Sequence, residues 1–256
     1  MVERQFIPGF PNSVFFVVYG ANMDLATDAR LDRKGYNTSI PGNCLQCHGI
    51  NSRYTAHAAH EVRRAIFLPF DLDSFEFFSD DPNSALSLSR AAQEGAFRAQ
   101  NRMAHDFSRL SQLKDNADAR QLIEGWYNND LFTGTFNGDF VPPGWSGTEQ
   151  QKQRYLKVYA RACRTCHISY ETAPTNDSDD AGRNVPGLQF GTYDLFVQLW
   201  GLIQPRACGQ NINAPIGAMP NAEQTLRQFW TTAARAQLFA QVPNAFRDCA
   251  PPESYP

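Results

Sequence analysis

One pentapeptide pattern occurs twice in this chain, as Cys44-Leu45-Gln46-Cys47-His48 and as Cys163-Arg164-Thr165-Cys166-His167. In a CxxCH run, the two thiols add to the vinyl groups of one haem and the adjacent imidazole takes an axial position on its iron. A thioredoxin-like dithiol needs no histidine at that offset, and a zinc ribbon sets its two CxxC pairs about 15–20 residues apart. Here the pairs are far apart in sequence. The repeated motif therefore predicts two covalently attached haem c groups. Cys44 and Cys47 would hold one and Cys163 and Cys166 the other, with His48 and His167 as iron ligands.

The rest of the composition is that of an ordinary globular chain. Its 256 residues allow one or two domains with cores of their own, and two motifs favour two. Nineteen Phe, nine Tyr and four Trp suit the walls of a flat apolar group, although filling two small cores accounts for most of them. Net charge is -3 with no basic block, which argues against a nucleic-acid partner and leaves redox proteins or small molecules. The apolar run Val14–Tyr19 is far short of the roughly 20 residues that span a bilayer, so no transmembrane span is expected. That run reads as a buried strand or an interface segment. Met1-Val2-Glu3-Arg4 lacks the pattern of a secretory signal. Covalent haem attachment in proteins of this kind follows export, so a periplasmic or other extracytoplasmic location is expected.

Punctuation by Pro and Gly divides the chain into an irregular arm over 1–40, a first haem domain over 41–140 and a second over 141–256. The expected fold is mainly α, with two cytochrome c-like helical haem domains joined by long irregular loops. Pro69 biases the 67–75 segment towards extended or turning backbone. A helix is expected from about 89 to 112, and a second over 117–127 capped by Asp115 or Asn116. The glycines and paired prolines of 128–147 mark a connection, one too aromatic to be a floppy linker. Thr148-Glu149-Gln150-Gln151 has the form of a capping box, opening a helix whose Tyr155, Val158, Tyr159 and Ala162 share a stripe leading into Cys163. The acidic turn over 176–180 lacks the ordered ligand pattern of a calcium loop and reads as a solvated loop. Cys208 and Cys249 remain after the motifs are subtracted. In an oxidising compartment they are expected to pair as a disulfide, the alternative being two separate buried thiols.

A helix entering CxxCH, a long loop, the Met219-Pro220 step and a final helix together resemble a class I cytochrome c domain over about 148–240. The resemblance implies His167 as proximal and Met219 as distal ligand, with Pro220 stiffening the loop. Asn221 would cap the last helix, whose Leu226, Phe229 and Trp230 would pack on the entering one. Met/His ligation raises the iron's potential and suits an electron carrier. The segments Leu68–Phe75, Leu122–Tyr127 and Phe136–Pro142, with the second motif, extend the likeness. They resemble a bacterial family of dihaem, cytochrome c domain-containing proteins and cover most of the chain.

The first half has no Met-Pro step after its motif. The distal partner of the first haem is then one of Met103, His105, His57, His60 and Met23, or is absent. Met103 shares a helical stripe with Phe97, Phe107 and Leu110, whereas His105 falls with Arg98, Arg102 and Arg109. On that pattern Met103 faces the core and is the expected ligand, and His105 faces water. The function expected from these residues is single-electron transfer between redox partner proteins. A dihaem peroxidase-like enzyme with an open iron position is the enzymatic alternative, kept alive by His57, His60 and Glu61. A haem-bearing subunit of a larger complex is the third, with aromatic segments as docking surfaces.

Overall fold

The computed structural model describes residues 2–3, 13–31, 39–48, 53–54, 62–63, 66–75, 77, 88–110, 117–128, 131–169, 190–207 and 221–239. Met219, Pro220, Cys208, Cys249, His57, His60, Asp115, Asn116 and the 176–180 turn lie outside them. What is described is mainly helical.

Two short strands are described in the N-terminal arm. Strands β1 (Val2–Glu3) and β2 (Ser13–Phe15) pair antiparallel, and β2 pairs in turn with β4 (Val62–Arg63), which pairs with β3 (Arg53–Tyr54). The sheet order is β1-β2-β4-β3. Beyond β2 the backbone alternates, with Phe16 and Val18 partly covered and Val17 and Tyr19 exposed. The apolar run is thus a strand only up to Phe15 and is not buried throughout, since Val17 and Tyr19 are exposed. The arm then turns through Gly20–Asp24 and leads to α1 (Gly42–His48), which contains the first motif.

After the sheet, 66–71 runs extended into a short 3-10 turn, Leu72–Ser74, whose start is capped by the Asp71 side chain. Helix α2 (Arg90–Leu110) begins at Ser89, whose hydroxyl accepts from Ala92 N, and packs on α3 (Ala117–Trp126). Leu122, Ile123 and Trp126 of α3, with Ala104, Tyr127 and Phe132, form one buried cluster.

The 128–147 connection is pinned by its aromatic residues. Phe132 and Phe136 join the first cluster, while Trp145 is buried in a second and donates its indole N–H to Phe190 O at 2.9 Å. The capping box forms as expected: Gln151 N donates to Thr148 Oγ1 at 3.2 Å, and Thr148 N donates to Gln151 Oε1 at 2.7 Å. It opens α4 (Glu149–Arg154), followed by a π-helical stretch over Tyr155–Tyr159, α5 (Ala160–Ala162) and α6 (Arg164–His167). In the π stretch the Ala160 N–H reaches back to Tyr155 O, and Tyr155, Val158 and Tyr159 all point inward.

Helices α7 (Tyr193–Gln198), α8 (Trp200–Ala207), α9 (Glu223–Thr231) and α10 (Ala234–Phe239) complete the chain as described. Phe196, Leu199 and Trp200 close one side of the second cluster, Phe229 and Leu238 another. Helix α9 lies on α5, the crossing expected between the helix entering the second motif and the last amphipathic helix. The two clusters meet at the second motif, since Cys163 packs on one and Ile168 belongs to the other.

Candidate functional site

Placing CxxCH on a helix solves a geometric problem. Residues three and four apart lie on one face, so in α1 the side chains of Cys44, Cys47 and His48 leave the backbone on the same side. The start of α1 is fixed by Asn43 N donating to Ser39 O at 2.8 Å and Leu45 N to Pro41 O at 3.0 Å. In the second motif, Cys163 sits at a break in the helix, with φ of -130°, and α6 carries Cys166 and His167.

The His48 ring is oriented from two sides. Its Nδ1 lies 2.8 Å from Ile66 O, and Ile66 N returns a bond to His48 O at 2.9 Å. Phe16 meets the ring edge-on with centroids 5.2 Å apart. A carbonyl oxygen only accepts, so Nδ1 carries the proton and Nε2 keeps its lone pair. Burial lowers the His48 pKa, against a smaller opposing effect of the Ile66 bond. The imidazole is thus held neutral, with one nitrogen fixed on a carbonyl and the other left as a donor, the posture of a metal-ligating histidine.

His167 is half-buried and stacks on Phe190 at 4.8 Å, 30° from parallel. Phe190 adopts φ of 47°, an uncommon conformation for a bulky residue. Trp145 holds its carbonyl.

Three of the four thiols are shifted towards their neutral forms. Burial pushes Cys163 up to about 12 and raises Cys44. The contact between the two sulfurs raises Cys166 and lowers Cys47, and burial adds to the rise at Cys166. A thioether is neutral and loses little on burial. Among the described residues no three of His, Cys, Asp and Glu converge as a metal-binding group. Buried indole N–H groups usually have partners; Trp126 Nε1 and Trp230 Nε1 have none among the described residues. Paired thiols followed by an oriented imidazole are the donor set that covalent haem attachment requires.

Two features escaped the sequence reading. Arg164, inside the second motif, is fully buried: its Nε donates to Asp71 Oδ2 at 2.9 Å and Nη1 to Tyr155 OH at 3.1 Å, with the guanidinium over the Trp126 ring at 5.2 Å. Burial opposes its charge, but Tyr155 and Asp71 outweigh that and raise its pKa. The second feature is the contact between motifs. Helix α1 packs on α6, and Cys47 Sγ lies 3.3 Å from Cys166 Sγ. The only sequence signal for the first was an arginine set between the two cysteines of the motif; for the second there was none.

Three expectations are corrected. Met103 is 65% exposed on α2, whereas His105 is 1% exposed, with Nε2 2.9 Å from Glu124 and Nδ1 3.2 Å from Asp106. The core stripe of α2 runs through Asn101, Ala104 and His105, because polar residues can line it when they are satisfied. Asn101 bridges Phe70 N and O at 2.8 and 2.9 Å. Met23, the other methionine considered, is 75% exposed. Asn221 does not cap α9, whose N-cap is Ala222. At φ of 59° its amide instead donates to Asn43 O at 3.0 Å and Oδ1 at 2.6 Å, beside Cys44. No known family, curated protein or solved structure matches the chain.

Proposed function

We propose that the chain is a dihaem c-type cytochrome that passes single electrons between redox partner proteins. The observation that carries this reading is His48, its Nδ1 locked on Ile66 O so that Nε2 keeps a lone pair, one residue after a helical Cys44/Cys47 pair. Cys44 and Cys47 would bond the first haem and Cys163 and Cys166 the second, with His48 and His167 as proximal ligands. Each group would supply an iron that changes oxidation state by one electron. The chain's own part is to orient the imidazoles, exclude water and set the charge around each site. Phe16 and Ile66 fix His48; Phe190 fixes His167; the Asp71–Arg164 pair places a compensated charge beside the second motif. Met219 is proposed as the distal ligand of the second haem, and export to an extracytoplasmic compartment as the setting for attachment. Among the described residues no helix is long and apolar enough to cross a membrane.

The test is the optical spectrum of chain exported with haem-attachment machinery, reduced, with and without carbon monoxide. A c-type spectrum unchanged by carbon monoxide supports a carrier with both irons six-coordinate. A large change at one haem would favour a catalyst with an open position, and no haem spectrum would refute the reading.

A further inference from the structure

The two motifs meet at their second cysteines. Cys47 and Cys166 are 119 positions apart in the chain, yet their sulfurs are 3.3 Å apart. The contact is braced on both sides. Asn43, one residue before Cys44, is 1% exposed; its Nδ2 donates to Ala29 O at 2.6 Å, and its O and Oδ1 accept from Asn221. Arg164, between Cys163 and Cys166, is tied to Asp71 and Tyr155. Neither helix is free to swing away without breaking a buried polar contact, which is costly.

In a CxxCH motif each sulfur is the atom bonded to the edge of the macrocycle. Sulfurs that touch would therefore bring two such edges close together if both cysteines carried haem. We propose that Cys47 and Cys166 form the junction between the two attached haems, so that the chain holds its redox centres as one coupled pair and not as two isolated carriers. The proposal rests on the dihaem reading above. Its physical consequence is mutual influence: charge added at one centre acts on the other through protein of low dielectric, where Coulomb effects are far stronger than in water.

The experiment uses the holoprotein, with haem content first fixed by intact mass. Electron paramagnetic resonance of the fully oxidised protein should integrate to well below the intensity of two isolated ferric centres, with broadened features. In a redox titration, C163A/C166A, which keeps only the first attachment site, should show a midpoint shifted from the first-site wild-type value. N221A, which loosens α1 while leaving every attachment residue in place, should move the wild-type spectrum towards that of isolated centres. Two full, unbroadened signals in wild type would overturn the junction while leaving the dihaem reading intact. A mass without haem would overturn both. If C163A/C166A does not fold, the wild-type resonance spectrum decides alone.

Discussion

A single hydrogen bond orients His48: with Nδ1 committed to Ile66 O, Nε2 is the nitrogen that keeps its lone pair. The histidine was legible in the sequence because its neighbours are cysteines at fixed spacing. Its orienting partner was not, since Ile66 contributes a backbone atom that any residue supplies. Met103 and His105 show the opposite failure. Counting apolar residues assigned the core face of α2 to methionine, but Asn101 and His105 occupy that face with their polar atoms paired. Met103→Ala is accordingly expected to leave the spin state of both haems unchanged in the optical spectrum; conversion of one to high spin would show that the exposed side chain reaches iron. Asp118 gives a pH-dependent prediction. Burial raises its carboxyl pKa above the unfolded value, so the folded chain binds that proton more tightly. The resulting stability is present in acid and is lost as pH rises through the raised value. Asp118→Asn should therefore raise the melting temperature near pH 7 more than near about pH 4, as thermal melts at both would show.

Among elements, those with local signals were read well. The Thr148–Gln151 box and the start of α2 at Ser89 follow from side chains within four residues of each boundary, and α3 spans nearly the expected range. Thr148→Ala removes one half of the box and should cost about 1 kcal/mol in chemical denaturation. Asn221 was misread because its amide is taken by a residue 178 positions away, a partner that no local pattern reveals. Gly125 carries a similar distant constraint, because a Cβ there would collide with the Phe140 ring. Gly125→Ala should destabilise the chain by roughly 1–3 kcal/mol despite alanine's better helix propensity, since the ring must move in a packed cluster. Unchanged or increased stability would mean that Phe140 yields freely.

At the scale of the whole molecule, the two motifs are neighbours. Sequence suggested one haem per domain, and the local signals of each half supported it. Asp71 on one side and Arg164 on the other, with Ile168 inside the α2–α3 cluster, join the halves through side chains whose pairing depends on tertiary structure. Asp71→Ala leaves a buried guanidinium without its carboxylate and should cost about 3–5 kcal/mol, read as a shift in the denaturation midpoint. A loss below about 1 kcal/mol would place the pair in the range of exposed bridges. The central claim is that both cysteine pairs carry haem through thioether bonds, and the most direct measurement is the intact mass of the exported, fully matured chain under denaturing conditions. The account predicts a mass greater than the polypeptide by two haems, with loss of one in C163A/C166A. A colourless chain at the bare polypeptide mass, or one that holds zinc at these cysteines, would contradict it.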